Sequence, residues 1–457
     1  MLRKRLALAA LAVLVLVVSR APAGDVVLYD PTNPVIKASA IDQPVLCAVL
    51  ANTSDANTII GGTGNPVIFR AFVDTGASSS MISFLQATGA QGADSLGITS
   101  ADYEGNYAET GIGGQEAGKV SRLYNVLVLN GNSTSGDVTV LNQFVDYGAH
   151  KLWVRQAEGV GETLSFMGFD LVDPINIVGM PIIRQRVMEM DFTPIANLET
   201  MATRLLPSGS SELHATNVTL DLCLRSFVGP APPGETLPTW SENPVVCSIS
   251  VSVDPGGGTR SISDNEWLFD TGAGSTFISF QRAQELGLIP ASDGNLAEFM
   301  STYGGIRLPV GGVGAGVDVP VLRVDEIRIP AKEGFDLVWK NVDVMVLDIP
   351  SDPSDPNSAT LDGVFGMNLL VPSVTIDVAS IDPTKINPDD ALAILLGLLD
   401  FSPGYFEYAA FDATDPGHVE LRLYTTLAPV PEPATLALLA LGGLALLRRR
   451  RRRRVRA

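Results

Sequence analysis

The stretches "FVDTGASSSMISF" (Phe72–Phe84) and "LFDTGAGSTFISF" (Leu268–Phe280) decide the fold of this 457-residue chain. When the two are aligned on Asp74 and Asp270, eight of eleven positions agree. In a chain of this composition the tripeptide Asp-Thr-Gly is expected by chance only about 0.2 times. Two copies with matched flanks therefore indicate an internal duplication.

The repeat extends on both sides of the motif. Upstream, "DQPVLCAVLAN" from Asp42 and "ENPVVCSISVS" from Glu242 share Pro-Val, a hydrophobic residue and Cys, and both have the alternation of a β-strand. Downstream, the landmarks again come in the same order in both halves. They are Tyr107 and Tyr303, "GIGGQ" (Gly111–Gln115) and "GGVGAG" (Gly311–Gly316), and "NIVGM" (Asn176–Met180) and "GVFGM" (Gly363–Met367).

These landmarks predict an all-β fold of two homologous lobes, related by a pseudo-two-fold axis with a cleft between them. We assign residues 24–225 to the first lobe and 240–427 to the second. Residues 226–239 lie in a stretch rich in Pro and Gly and are predicted to form the linker. The segment that most favours a helix is Asn387–Phe401, which has Asn and Asp available as N-cap.

Both ends of the chain are typical of targeting signals. Residues 1–23 combine Arg3, Lys4 and Arg5 with an apolar run and Ala-Pro-Ala, which predicts a cleaved signal peptide. The alternative is an uncleaved membrane anchor, but the apolar run is short for a span.

Residues 428–457 contain Val430-Pro431-Glu432-Pro433, an apolar stretch (Ala434–Leu447) and a run of arginines. This segment resembles a PEP-CTERM sorting signal. The resemblance implies recognition by an exosortase-type sorting enzyme, transient contact of a C-terminal transmembrane helix with the membrane, and removal of the tail at the cell envelope or surface. A basic tail for nucleic acid is the alternative, which export disfavours.

The charge of the processed chain argues against nucleic acid partners. Removing both ends takes twelve of the 31 basic residues and one of the 50 acidic residues, which leaves 19 against 49 and a net charge near −30. Such a surface repels polyphosphates. Cys47, Cys223 and Cys247 allow one disulfide and one thiol, with the pairing open. No metal-ligand spacing or cofactor motif stands out, so we expect no metal and no cofactor.

The duplication has a chemical reason. Asp74 and Asp270 each follow an apolar run that ends at a Thr-Gly turn, and a pseudo-two-fold axis would bring the two acids face to face. Two carboxyl groups at hydrogen-bond distance share one proton, because both cannot ionise cheaply. Such a pair can activate a water and protonate a substrate amide, which is peptide hydrolysis without a metal or covalent intermediate.

The paired motifs resemble those of the aspartic protease superfamily, pepsin-like in forming one bilobal chain. The resemblance implies that Asp74 and Asp270 are the catalytic pair, that Thr75 and Thr271 hydrogen-bond across the axis, and that Gly76 and Gly272 offer backbone donors. It also implies that "IVG" at 177–179 and "VFG" at 364–366 pack behind each motif.

Ala77 and Ala273 depart from pepsins, which usually carry Ser or Thr there, and resemble the retropepsin branch. Losing that hydroxyl donor disfavours the ionised pair, so we expect an activity optimum closer to neutral than in pepsins. Residues 103–124 are predicted to form a flap over the substrate, and its candidate binding residues are Tyr107, Gly111, Ile112, Gly113 and Gly114. An exposed hairpin without this role is the alternative, and Gly311–Gly316 could form a second flap.

The sequence thus favours an exported aspartic endopeptidase that takes protein or peptide substrates in an extended conformation. The first alternative is a catalytically silent bilobal protein that binds peptides or inhibitors. The second alternative, a β-rich adhesin, explains the export signals but not the paired acids.

Overall fold

The computed structural model describes residues 25–427 except 30–39, 41, 62–66, 130–143, 160–161, 167–168, 198–199, 208–213, 255–257, 265–266, 315, 353, 356, 372–373, 377–398 and 402–404. Of the chain, 48% is in strands and 11% in helices, so the fold is mostly β as predicted. The predicted signal peptide, the sorting segment and most of the predicted helix at 387–401 lie outside the described residues. The last three residues of that helix prediction are wrong, because Leu399–Phe401 is a strand that pairs with residues 374–376.

The described strands of the first half are β1 (Val26–Tyr29), β2 (Val45–Asn52), β3 (Asp55–Ile59), β4 (Phe69–Val73), β5 (Met81–Ile82), β6 (Tyr103–Gly111), β7 (Gly114–Leu129), β8 (Phe144–Arg155), β9 (Thr163–Phe166), β10 (Phe169–Val172), β11 (Ile177–Val178), β12 (Arg186–Asp191), β13 (Ala202–Pro207) and β14 (Val218–Arg225). Those of the second half are β15 (Asn243–Val246), β16 (Ile249–Val253), β17 (Arg260–Asp264), β18 (Trp267–Phe269), β19 (Phe277–Ile278), β20 (Arg307–Val310), β21 (Val317–Pro330), β22 (Asp336–Val346), β23 (Gly363–Phe365), β24 (Val374–Ile376), β25 (Leu399–Phe401), β26 (Tyr408–Asp412) and β27 (Val419–Tyr424).

The described helices are short. They are the α-helices α1 (Phe84–Thr88), α2 (Met180–Ile183), α3 (Phe280–Glu285) and α4 (Leu296–Thr302), and the 3₁₀ turns Ala90–Gly92, Ser100–Asp102, Thr193–Asn197 and Met367–Leu369. The shared "ISF" at the end of each motif explains two of them. Ser83 accepts a hydrogen bond from the Gln86 amide at the start of α1, and Ser279 accepts one from the Arg282 amide at the start of α3. Serine is a favoured N-cap because it satisfies such unpaired amides.

Six strands of the first half close into a barrel in the order β2, β4, β11, β5, β8, β7 and back to β2. Closure buries seven of the eight residues of β2, whereas β16 alternates buried Ile249, Val251 and Val253 with half-buried serines. Strands β3 and β6 extend this sheet beside β2 and β7. The closed arrangement fixes the end of β4, where Asp74 follows.

The second half repeats these pairings in the same order. Its path runs β15, β18, β23, β19, β22, β21, β16, so that β15 and β16 together occupy the place of β2. The parallel pair β4–β11 corresponds to β18–β23, and the parallel pair β5–β8 to β19–β22. The match between Tyr107 and Tyr303 does not hold, because Tyr107 lies in β6 and Tyr303 ends α4. Their equal distance in sequence from the two motif acids is a coincidence.

The two halves share part of one large sheet. Its order β13, β12, β26, β27, β14, β15 alternates strands from before and after the predicted linker. In addition, β1 pairs in parallel with β22, although it precedes the first barrel in the sequence. Residues 226–242 run along the first half, where the amides of Thr236 and Thr239 donate to the carbonyl groups of Asn106 and Lys151 at 2.9 Å.

A disulfide joins Cys223 in β14 to Cys247 between β15 and β16, while Cys47 is a buried thiol. The bridge closes a loop with a sequence separation of 24 residues.

We expect the double variant Cys223→Ser/Cys247→Ser to lose about 3 kcal/mol of unfolding free energy, because the bridge restricts the unfolded chain. Urea denaturation with and without reductant measures this loss. The reductant should shift the wild-type midpoint and leave the double variant unchanged, and equal shifts would contradict the expectation.

Candidate active site

The two motif acids sit at equivalent strand ends. The Asp74 amide, just past β4, donates to the Val178 carbonyl at 3.0 Å, and the Asp270 amide, just past β18, donates to the Phe365 carbonyl at 3.1 Å. Each carboxylate accepts hydrogen bonds from the backbone of its own turn. The amides of the second and third residues after each acid donate to its Oδ1 atom at 2.8 and 3.0 Å, with the same values in both halves.

Thr75 and Thr271 tie the two turns together. The Thr75 amide donates to Thr271 Oγ1 at 3.1 Å, and the Thr271 amide donates to Thr75 Oγ1 at 3.0 Å. Each hydroxyl donates onward across the interface, from Thr75 to the Phe269 carbonyl at 2.7 Å and from Thr271 to the Val73 carbonyl at 2.6 Å. Both threonines are fully buried, and the amide and hydroxyl of each have partners, as buried polar groups require.

The glycines of the motifs make room for the acid of the opposite half. A Cβ atom built on Gly76 would lie 2.3 Å from Asp270 Cγ, and one on Gly272 would lie 2.3 Å from Asp74 Cγ. The two carboxyl groups are hydrogen-bonded to each other. Only glycine allows this close approach of backbone to carboxylate.

Burial sets the protonation of the pair. It raises the pKa of Asp74, while the hydrogen bond with Asp270 and the amides of Gly76 and Ala77 act in the opposite direction. The pKa of Asp270 lies well above its ordinary value because of burial and the neighbouring Asp74 charge. Two such groups at hydrogen-bond distance share one proton, and its titration belongs to the pair. Such a pair can accept one proton and release another.

The "IVG" and "VFG" segments lie behind the motifs. Met180 donates its amide to the Ala77 carbonyl at 2.9 Å, and Met367 donates its amide to the Ala273 carbonyl at 2.8 Å. A Cβ on Gly179 would lie 2.1 Å from the Ser79 carbonyl oxygen, and one on Gly366 would lie 2.0 Å from that of Ser275. These contacts hold both turns in place from below.

A cavity of about 780 Å³ opens above the pair. Its walls come from both halves and are mostly apolar, and its polar side chains lie beside the two acids, on β6 and β8, and at Ser351. The lining includes Asp74, Asp270, Glu109, Thr110, Arg155 and Leu308.

Two hairpins meet over this cavity. Strands β6 and β7 pair up to Gly111 and Gly114, and β20 and β21 pair up to Val310 and Val317. At the tips, the Gly113 amide donates to the Val313 carbonyl at 2.9 Å. The Gly314 amide donates to Glu116 at 3.2 Å. The second Gly-rich stretch is therefore the tip of a hairpin that touches the first one.

The predicted flap residues divide into three groups. Gly111 and Ile112 line the cavity, whereas Gly113 and Gly114 form the tip without lining it. Tyr107 does not itself line the cavity, and its assignment to substrate binding stays a prediction. Its side chain is 3% exposed and packs in a buried cluster with Met81, Val120 and Trp153, of which Met81 lines the cavity.

Sequence reasoning missed Glu109, Gln43 and Asn243. Period-two alternation from Tyr107 would have placed Glu109 on the same face of β6, nearer the tip. Gln43 and Asn243 occupy matching places in the repeat, each directly before the shared Pro-Val. Each side-chain amide donates to the motif of the opposite half, Asn243 to the Thr75 carbonyl at 2.9 Å and Gln43 to the Gly272 carbonyl.

Comparison with known families finds the PEP-CTERM protein-sorting motif at residues 429–453, which confirms the prediction for the C-terminal segment. This motif implies an exported protein that an exosortase-type enzyme sorts to the cell envelope. Comparison with curated proteins gives no match.

None of the helices that the structure describes is long and apolar enough to cross a bilayer. The predicted transmembrane helix at 434–447 lies outside the described residues. Within the described ranges, no three His, Cys, Asp or Glu side chains come together as a possible metal site.

Proposed function

We propose that this protein is an exported aspartic endopeptidase with two lobes related by a pseudo-two-fold axis, as in the acid protease fold. One observation carries the proposal. Asp74 and Asp270, 196 residues apart, share a hydrogen bond at the base of a cavity, each against the glycine of the other motif. The repeated strand pairings of the two halves support the symmetry.

In the proposed reaction, Asp74 acts as the base and Asp270 as the acid, with the shared proton on Asp270 at the start. A water held between them attacks the peptide carbonyl carbon and gives a proton to Asp74. Asp270 gives its proton to the carbonyl oxygen, which forms a neutral diol. The C–N bond then breaks as the nitrogen takes a proton from Asp74, and the diol returns one to Asp270. One water is consumed, and one acid and one amine are released.

The paired hairpins would cover the substrate. The tips, joined by the hydrogen bond from the Gly113 amide to the Val313 carbonyl, would separate to admit an extended peptide and then close again. Closure over the peptide would exclude bulk water and strengthen the electrostatic interactions of Asp74 and Asp270 with the substrate.

The test is cleavage of an unfolded protein substrate by the purified chain, with and without a statine-type inhibitor. The endopeptidase predicts new peptide ends that the inhibitor suppresses. A silent binding protein would bind the inhibitor without producing any new ends, and an adhesin would show neither response. Cleavage that persists at full inhibitor and requires a metal would contradict the proposed mechanism.

We expect a bell-shaped pH–rate profile that peaks above pH 3.8, the ordinary aspartate pKa. Activity rises as Asp74 ionises and falls as Asp270 loses its proton, and both pKa values are raised. The measurement is kcat/KM on a fluorogenic peptide across pH 3–9 (roughly the titration span of carboxyl groups in proteins), because this ratio reports the pKa values of the free enzyme. A rate that still increases at the most acidic point would contradict the expectation.

A further inference from the structure

The two walls of the cavity differ in chemistry. Glu109 lies on β6 two residues before Gly111, the last paired residue of its strand. The matching place on β20, two residues before Val310, is Leu308. Both line the cavity, and Leu308 packs with an apolar cluster that includes Phe277, Val319 and Val321. The repeat has thus kept an acid on one wall and an apolar residue on the other.

The Glu109 carboxylate has no hydrogen bond or ion pair within the described part of the chain. Arg155, a cation whose charge lowers the Glu109 pKa, is 4% exposed and donates from Nε and Nη2 to the two oxygens of Glu116, at 2.8 and 2.6 Å. Its charge is therefore matched by Glu116. Glu109 remains as an unmatched, half-buried carboxyl that faces the same cavity as Asp74.

This arrangement costs free energy in the absence of a ligand. Strand register puts Glu109 directly opposite Glu116, and like charges in that position are destabilising. Burial and the charges of Asp74 and Glu116 together raise the pKa of Glu109 to about 7. A cation placed in the cavity would relieve both effects.

A second polar group faces the same wall. Thr110 is 7% exposed and lines the cavity, and its buried hydroxyl has no hydrogen-bond partner among the described residues. Buried hydroxyls are nearly always paired, so this one is available to a ligand. Together, Glu109 and Thr110 offer an anionic acceptor and a neutral hydroxyl within one apolar cavity.

We propose that Glu109 is a specificity-determining residue that receives a lysine or arginine side chain of the peptide within one or two residues of the scissile bond. The Leu308 wall takes an apolar side chain. This inference rests on the proposed endopeptidase function. The acidic balance of the chain, 50 Asp and Glu against 31 Lys and Arg, also favours the approach of cationic peptides.

The experiment first maps cleavage of a degenerate peptide library and then compares two peptides that differ only in lysine or norleucine at the enriched position. The wild-type chain should prefer the lysine peptide about tenfold in kcat/KM, mainly through KM. Glu109→Gln should bring this ratio close to one and leave the norleucine peptide within about threefold. The matched control is Glu235→Gln. The Glu235 carboxylate accepts a hydrogen bond from the Ala108 amide, next to Glu109 on β6, and this variant should keep the preference for the lysine peptide.

A wild-type ratio near one, or a preference that survives in Glu109→Gln, would overturn the inference while cleavage itself upholds the endopeptidase. If no peptide is cleaved, the proposed function fails and binding decides the inference separately. Fluorescence anisotropy with the same two peptides should then show tighter binding of the lysine peptide, lost in Glu109→Gln. Equal dissociation constants would overturn it.

Discussion

Replacing either Asp74 or Asp270 with asparagine should lower kcat on a peptide substrate by about a thousandfold or more. Asparagine keeps the shape and still accepts the amide hydrogen bonds at 2.8 and 3.0 Å, but it neither takes nor releases a proton at neutral pH. General acid–base groups commonly contribute 10²- to 10⁴-fold, and here one proton is shared by the two acids. The double variant should be no slower than either single variant, because the pair acts as one unit.

Stability separates this loss from misfolding. The pKa of Asp270 in the folded protein exceeds its unfolded value, so the folded state holds the proton more tightly and the unfolding free energy falls as pH rises through the folded pKa. Asp270→Asn removes that penalty, and its melting temperature at pH 7 should be no lower than that of the wild type. Asp318→Asn, at an exposed position of β21, is the control for activity. A single variant that keeps more than about a tenth of the wild-type rate would refute the shared-proton mechanism.

Gly76→Ala and Gly272→Ala should each reduce kcat/KM by about a hundredfold. The new methyl group would lie 2.3 Å from the Cγ atom of the opposite aspartate, so the carboxyl group has to move. A displacement of about 1 Å at a reacting group is enough for such a loss. Overpacking at a buried turn should also cost about 1–3 kcal/mol of unfolding free energy.

Gly304→Ala is the matched control, because a Cβ there meets no heavy atom within 4 Å. It should leave the rate and the melting temperature unchanged. Kinetics and thermal unfolding of all three variants decide the outcome. Wild-type rates in both motif variants would mean that the two acids do not need their present separation.

The parts of the fold that the sequence predicted are those that depend on local pattern. Alternation in "ENPVVCSISVS" indicated strands, and the strands are there as β15 and β16. The repeated "ISF" also begins a helix in each half, with its serine as the N-cap, although we did not predict these two helices from the sequence. The matched motifs also led us to expect that Asp74 and Asp270 lie close together. Whether they act as a catalytic pair stays a prediction.

The rest depended on geometry between distant segments. The sequence "VVLY" does not indicate that β1 pairs with β22. The partner of so short a strand depends on which strand edge the rest of the fold leaves beside it. The disulfide joins Cys247 to Cys223 rather than to Cys47, although Cys47 holds the matching place in the repeat. Glu109 was not predicted because its lack of an ion pair depends on a contact between distant segments. Arg155 already pairs with Glu116 on the neighbouring strand.

The interleaved sheet has a consequence for the integrity of the chain. A protease that nicked the backbone once between residues 226 and 239 would not release two separate bodies. The upstream fragment would keep β12 and β14 hydrogen-bonded to β26 and β27, and the Cys223–Cys247 bridge would still join the fragments covalently. Such a nicked molecule should migrate as one species under native conditions and separate into two only after reduction and denaturation.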